Sequence, residues 1–408
     1  MRISELKSRI CKTLEGPVPE PKVVLSACQG VSEKLARGDY RQLLEETGLA
    51  GSVSARELEE AVVMLSRDYL SARLVLELGA DLERGDSFPL GVLFHIGAGN
   101  LDGLSAYSVV EGLLAGNINL LKLPAGEQGV SAFLLRELIR MEPSLQNYIY
   151  VFDFPSSNQK RMRQLMELSD AVVLWGGDEA VLSVRSLAPP NTRLIEWGHK
   201  LSFAYVTETG LGKEAELLDL ARHMIETGQT LCSSCQGIYL DTDRMDLVKQ
   251  FSKRFLSVLR QAYDEAAREK GVPDIGVTAR NTLRVQEARM SAMMNSDSAE
   301  SAIVYGDGCV SVTASSDCDL TLSLLYGNCW VKPLPRTEII SALHEQKSHL
   351  QTVGLLCGED EQEELTYRLC RAGAVRVCDG GSMSKLQTLG AHDGEYPLRR
   401  YRRIITKG

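Results

Sequence analysis

Residues 90–124 read LGVLFHIGAGNLDGLSAYSVVEGLLAGNINLLKLP, and their rhythm decides the fold. An apolar run, LGVLFHI, passes through a glycine-rich turn into a helical stretch at 104–115 and then into a second apolar run, INLLKL. Strand, helix, strand in that order is the unit of a parallel sheet. The alternation continues through YIYVF, AVVLW and RLIEW, with helical stretches at 129–141, 158–168 and 178–187 between them. Strands of a parallel sheet are covered on both faces, so they read as near-continuous apolar runs, as these five do. The predicted class is α/β. Upstream, segments such as ARELEEAVVMLSRDYLSARLVLELG place apolar residues three and four apart, so the first ninety residues read as a helical preface.

A second α/β block begins near residue 200. It opens with a strand LSFAYV and a helix KEAELLDLARHMIE, then the loop GQTLCSSC, a strand QGIYL and a long helix DLVKQFSKRFLSVLRQAYDEAARE. In that helix Phe251, Phe255, Val258, Leu259 and Ala266 keep a helical spacing. The segment 271–300 is weakly patterned and reads as a connection or an exposed helix. Strands AIVYG, CVSVTA, CWVKPL, TVGLLCG and AVRVCDG follow, with a helix after Arg336. There is no repeat of 20–50 residues and no low-complexity linker.

Composition narrows the function classes. A chain of 408 residues has room for two or three domains, and 44% hydrophobic with 24% charged content is that of an ordinary globular protein. The net charge of -9 argues against nucleic acid or an anionic membrane as partner, since either demands a basic face. The local cluster RRYRR (399–403) reads as a solvated face. No apolar run approaches a membrane span, and the N-terminus is broken by charges every few residues, unlike an export signal. The ten cysteines are scattered, which suggests free thiols in a reducing cytoplasm.

Three loops carry the candidate chemistry. In HIGAGNLDG (95–103), Gly97, Gly99 and Gly103 lie between a strand and a helix, where backbone amides can approach a phosphate. Asn100 beside them can donate to a developing oxyanion, or cap the helix. WGGDEA (175–180) repeats the arrangement with Gly176 and Gly177, and two such turns on one sheet suggest a dinucleotide across the carboxyl ends of the strands. Lys122 ends INLLKL, within reach of a ribose or phosphate or simply solvated. The third loop, GQTLCSSC (228–235), holds Cys232 and Cys235. A redox pair usually opens a helix, but here a strand follows. A structural zinc site needs a second pair of ligands, and the chain has no second CxxC, CxxH or HxxxH. A nucleophilic Cys232 in a polar loop is the favoured reading, with buried or incidental thiols, a redox pair and a metal ligand as the others.

Taken in order, HIGAGN, GNINLLKLP, DAVVLWGGDEA, IEWGHKLSF, GQTLCSS, LQTVGL and HDGEYPL resemble the LuxC-type acyl-CoA (fatty acid) reductase family, a branch of the aldehyde dehydrogenase superfamily. The match runs from about residue 85 to the end. The resemblance implies an aldehyde-dehydrogenase-like fold. Its parts would be a helical segment 1–88, a Rossmann-type cofactor domain 89–198, a catalytic domain 199–378, and a C-terminal segment 379–408 that returns to the cofactor domain or serves an oligomer interface. It implies reduction of an acyl thioester to an aldehyde by NADPH, with NADH the other candidate. Cys232 matches the nucleophile, Asn100 the oxyanion-hole asparagine, Lys122 the adenosine-ribose lysine, and Gly176 and Gly177 the phosphate turn. Glu196 in IEWGHK looks like the glutamate that activates water in hydrolytic dehydrogenases, and here it would orient or deprotonate the thiol. Glu127 lies near Lys122 and is a further candidate for a ribose contact.

The thioester donor would be CoA, a carrier protein or an acyl-transferase partner, the assembly a homo-oligomer, and no metal is implied. The family's CSSP is here CSSC, so Cys235 stands where the proline would be and reads as a small hydrophobe or a disulfide partner of Cys232. The chain reads as shorter than the family's luminescence enzymes, so a long fatty substrate is not implied. A non-acylating aldehyde dehydrogenase using Glu196 on water, and a silent acyl-relay or scaffold subunit, are the competing readings.

Overall fold

The computed structural model describes residues 1–46, 55–97, 103–127, 129–270, 275–294, 302–306, 309–385 and 389–406. Contacts divide the chain into a first unit, Met1–Gly198 with Leu386–Gly408, and a second unit, His199–Lys385.

Five helices open the first unit: α1 (Ile3–Leu14), α2 (Pro21–Arg37), α3 (Arg41–Glu46), α4 (Ala55–Leu65) and α5 (Arg67–Arg84). Their limits follow from local chemistry. Helix α2 starts with proline at its first position, where no amide partner is lost, and stops at Gly38, whose φ of 74° suits glycine. In α5 the Ser66 hydroxyl accepts from the Tyr69 amide at 3.3 Å, and Gly85 ends the helix at φ 65°. One face of α2 (Val24, Ala27, Cys28, Val31, Leu35) is buried in a cluster shared with helices further along the chain.

After β1 (Ser87–Pro89) come β2 (Val92–Ile96), α6 (Leu104–Leu114), β3 (Ile118–Lys122), α7 (Val130–Met141), β4 (Ile149–Phe152), α8 (Gln159–Glu167), β5 (Ala171–Trp175), α9 (Asp178–Leu187) and β6 (Arg193–Trp197). The five strands β2 to β6 form one sheet in the order β4-β3-β2-β5-β6, and every pairing is parallel. The chain runs outward from β2 to β4, then returns to the other side of β2 with β5. That reversal makes the carboxyl ends of β2 and β5 a switch point, the position where open α/β sheets leave a crevice for ligands. Both predicted glycine turns begin there.

The second unit contains β7 (Leu201–Val206), α10 (Glu208–Leu211), α11 (Glu214–Thr227), β8 (Cys235–Leu240), α12 (Met245–Lys270), α13 (Ile275–Met294), β9 (Ile303–Gly306), β10 (Ser311–Ala314), β11 (Asn328–Pro333), α14 (Ile339–Leu343), β12 (Leu350–Leu356), α15 (Gln362–Ala372) and β13 (Arg376–Cys378). Its sheet has the order β13-β12-β7-β8-β11-β10-β9, parallel except where β9 pairs antiparallel with β10. Phe251, Phe255 and Leu259 of α12 are buried under this sheet, whereas Ala266 lies at the partly exposed end of the helix. The weakly patterned stretch after 271 contains α13, which leaves Leu283, Met290, Met293 and Met294 exposed, hence its faint apolar periodicity. The second unit extends past residue 378 because Met383 inserts into its core and Gly380 packs against Leu220 and Leu356.

The chain then returns to the first unit as α16 (Pro397–Arg400) and β14 (Arg402–Ile404), the latter antiparallel to β1. Here the solvated reading of RRYRR is corrected in part: Arg399 and Arg403 are exposed, but the cluster is also anchored. Tyr401 is fully buried, Arg399 donates to the Glu77 carbonyl at 2.7 Å, and Arg402 donates to the Ala115 carbonyl at 2.8 Å and to Ser87 Oγ at 2.8 Å. The Ala115 carbonyl stands at the C-cap of α6, where helix geometry leaves a carbonyl without an amide partner, and the Arg402 guanidinium supplies the donor.

Candidate functional site

In the first unit, the switch point is built for close backbone approach. A Cβ on Gly97 would stand 2.0 Å from Ser105 Oγ, so only glycine lets β2 turn this tightly against the start of α6. Gly99 and Asn100 lie outside the described residues. Gly177 is the N-cap of α9, and the Gly176 amide donates to the Trp197 carbonyl at 3.2 Å. Asp178 and Glu179 in the first turn of α9 offset part of the helix dipole, so an anion here would rely on backbone amides.

Lys122 is buried, against its solvated reading. It closes β3, and its Nζ donates to Ser156 Oγ at 2.8 Å. Burial lowers its pKa and Asp153 opposes that shift. Glu127 caps α7 by accepting the Ser131 amide at 2.6 Å. Glu196 on β6 is held in a two-pronged ion pair by Arg185 of α9, with Nε–Oε1 at 2.7 Å and Nη2–Oε2 at 2.6 Å.

Several groups at this end of the sheet lie inside the quoted motifs without having been given a role there. His95 is fully buried, with Nδ1 2.8 Å from Ser108 Oγ and Nε2 3.0 Å from Asn119 Oδ1. Asn119 Nδ2 donates to backbone carbonyls, so Oδ1 accepts the Nε2 proton, and desolvation pushes the ring's pKa down to about 4. Trp175 and Trp197 end adjacent strands and stack at 5.5 Å; His392, from the HDGEYPL motif, lies 5.0 Å from each ring. The parallel register that pairs Trp175 with Trp197 creates this aromatic wall. Elsewhere in the unit an apolar cavity of about 110 Å³ is bordered by Val31, Ala61, Met64, Leu104, Tyr107 and Leu134.

In the second unit, Cys232 is exposed at the tip of the loop between α11 and β8. Gly228 ends α11 at φ 55°, and Gln229 follows at φ 61°, a strained conformation for a residue with a side chain. Buried hydrogen bonds hold it there: Gln229 Nε2 donates to the Cys235 carbonyl at 3.0 Å and Gln229 Oε1 accepts the Gly327 amide at 3.0 Å. Gln236 Nε2 donates to the Gln229 carbonyl at 2.9 Å, and its Oε1 accepts from Ser323 Oγ at 2.9 Å. The facing loop is strained too, with Leu325 at φ 63° and Tyr326 at φ 50°. Ser202 Oγ donates to the Cys232 carbonyl at 2.7 Å, and Ser233 Oγ lies 2.8 Å from Ser384 Oγ.

Cys235, by contrast, begins β8 inside the apolar core. Its amide donates to His223 Nε2 at 3.3 Å, its thiol donates to the Gly237 carbonyl at 3.2 Å, and desolvation raises its pKa well above that of a free thiol. Among the described residues no group of three or more His, Cys, Asp or Glu is placed to hold a metal, and no helix is long and apolar enough to cross a membrane.

The family profile described as Acyl-CoA reductase (LuxC) matches residues 23–404. The chain belongs to this family. Among curated relatives, this LuxC-family chain is 25% identical over 346 residues to the long-chain acyl-protein thioester reductase of Aliivibrio fischeri, covering 80% of this chain and 66% of the relative. It is 21% identical over 386 residues to the enzyme of the same name from Vibrio harveyi, covering 91% and 77%. The chain therefore spans about two thirds of the length of the first of these relatives. Among solved structures, lactaldehyde dehydrogenase from Escherichia coli superimposes with a TM-score of 0.68 at 14% identity, covering 98% of this chain and 88% of that one. A 3,6-anhydro-L-galactose dehydrogenase, solved in complex with NAP, gives 0.68 at 14% identity, covering 98% and 89%. The LuxC-family chain thus has the aldehyde dehydrogenase fold.

Proposed function

We propose that this protein reduces an acyl thioester to an aldehyde through an acyl-cysteine at Cys232, with a nicotinamide cofactor held by the first unit. The observation that carries the reading is the exposed Cys232, held at the tip of a loop by buried hydrogen bonds, in a chain that a thioester-reducing family matches almost throughout.

The switch point fits a dinucleotide. Gly97 gives the close approach, the turn at Gly176 and Gly177 leads into α9, and Lys122 supplies a cation at the end of β3. Bound there, the nicotinamide supplies the hydride. The protein's own part is nucleophilic. The Cys232 thiolate attacks the thioester carbon, the carbonyl oxygen takes the negative charge, and backbone amides of the loop with Asn100 stabilise it. Collapse expels the donor thiolate, which takes a proton, and leaves the acyl group on sulfur. After reduction of the acyl carbon, the C–S bond breaks, the aldehyde departs and Cys232 is regenerated.

Water must be kept from the acyl-enzyme, or acid forms instead. The ion pair that occupies both oxygens of Glu196 supports reductive over hydrolytic use of the fold, because a carboxylate so engaged is a poor base for water. The names of the relatives make an acyl-protein the leading donor.

Intact-protein mass spectrometry after incubation with acyl-CoAs and with an acylated carrier protein tests the reading. An acyl adduct absent from Cys232→Ala, discharged as aldehyde on addition of NADPH or NADH, is the expected result. Acid released in place of aldehyde would support the dehydrogenase alternative, and no adduct from any donor would remove the proposal.

A further inference from the structure

We propose that Ser202 is a positioning residue for the nucleophilic loop: from a bulge in the second sheet, its hydroxyl fixes the peptide plane between Cys232 and Ser233. That aims the Ser233 amide toward the side on which the thiol is exposed. The inference rests on the assignment of Cys232 as nucleophile.

At Ser202 the ladder is irregular on both sides of β7. Its register with β8 shifts between Ser202 and Ala204, and its register with β12 shifts between Leu350 and Val353. Bulges leave ladder groups without their regular partners and recur next to active sites, where they re-aim a side chain. Here one hydroxyl bridges the gap. Ser202 Oγ accepts the Thr352 amide at 3.0 Å and donates to the Cys232 carbonyl at 2.7 Å. A hydroxyl has a single proton, so with an amide on one side and a carbonyl on the other the direction of both bonds is settled. Ser202 itself is fully buried, and the Cys232 carbonyl is thereby pointed into the sheet.

The geometry of the peptide does the rest. No peptide bond among the described residues is cis, and in a planar trans peptide the N–H points opposite to the C=O. With the Cys232 carbonyl turned inward, the Ser233 N–H faces outward, where Cys232 is exposed. A donor fixed there favours the thiolate and the oxyanion formed when it attacks. The rest of the turn is closed separately, by the Leu231 amide to Ser234 Oγ at 3.1 Å and the Ser234 amide to the Leu231 carbonyl at 2.9 Å.

The test compares Ser202→Ala and Ser202→Thr with Ser252→Ala. Ser252 is equally buried but bonds the Val248 carbonyl inside α12, so it reports stability alone. The readouts are single-turnover release of CoA from a short acyl-CoA, the pH profile of Cys232 alkylation by iodoacetamide, and Tm. Ser202→Ala is expected to slow acyl transfer by roughly 10-fold or more with little change in KM, since a misdirected donor forfeits part of what a lost one does. Its alkylation midpoint moves to higher pH, Ser202→Thr recovers part of both effects, and Ser252→Ala changes only Tm. Parent-like transfer and alkylation in Ser202→Ala, with a Tm loss like that of Ser252→Ala, would overturn the proposal. A parent that is alkylated at Cys232 but never acylated would instead remove the thioester reading, and the alkylation profile would still decide the role of Ser202.

Discussion

Cys232 and Cys235 are three residues apart and sit in different media. One is exposed in a polar loop; the other is fully buried in an apolar cluster that raises its pKa by desolvation. Iodoacetamide at pH 8 is therefore expected to label Cys232 in the native protein and to reach Cys235 only in urea, which peptide mapping would read. Cys235→Ala should retain acyl transfer; loss of transfer with an unchanged Tm would reveal a redox partnership between the two thiols. Lys122 makes a second case. It is nearly inaccessible, and among the described residues its charge has the Ser156 hydroxyl as its one hydrogen-bond acceptor, with Asp153 as the carboxylate opposing the desolvation of its charge. A buried lysine so lightly partnered costs stability and is retained where the charge has a use. Lys122→Met should leave Tm unchanged or raised while weakening NAD(P)H binding by about 10-fold, the worth of one charge-assisted hydrogen bond. Fluorescence titration measures the binding, and unchanged affinity would reduce Lys122 to a structural residue.

At the scale of elements, β2 and its turn into α6 carry both a site residue and a titratable one. His95 projects from β2 onto Ser108 of α6 and Asn119 of β3, so the ring ties strand to helix inside a buried setting that disfavours its charged form. Its folded pKa of about 4 lies below the ordinary imidazole value of 6.5, because desolvation opposes the charged ring. The unfolded chain thus takes up a proton that the folded chain refuses between those values. The stability that His95 contributes is complete above about pH 6.5 and lost as pH falls toward 4. Urea midpoints across this range, followed by the fluorescence of Trp175 and Trp197, should fall with pH in the parent and flatten in His95→Gln. An equal slope in both proteins would place the acid sensitivity elsewhere.

At the scale of the whole molecule, the chain leaves the first unit after Gly198 and re-enters it at Leu386. The returning segment completes that unit: Tyr401 is fully buried, and its carbonyl accepts from Asn117 Nδ2 at 3.1 Å across 284 residues of sequence. Tyr401→Ala should cost about 3–5 kcal/mol, the usual loss for a buried aromatic. Urea unfolding read from the first unit's tryptophans would show it, and a cost near zero would make the return segment dispensable. This burial also explains why RRYRR misled in part as a sequence, although Arg399 and Arg403 are exposed. Composition marks a basic cluster as solvated, and nothing local says that Arg402 meets the carbonyl of Ala115. Read without tertiary information, the sequence determined the alternation of strands and helices, because strands buried on both faces must be apolar throughout. It also determined the two glycine turns and the cysteine loop, because tight turns and polar thiol settings constrain residue type over a few positions. Strand order, the switch point and the antiparallel β9 were decided only by tertiary structure. So was the convergence of Ser202, Cys232 and Thr352, separated by 30 and 150 residues and joined by one hydroxyl. Such contacts link segments that share no periodicity, and a hydrogen bond across a bulge leaves no repeating trace in the chain that makes it.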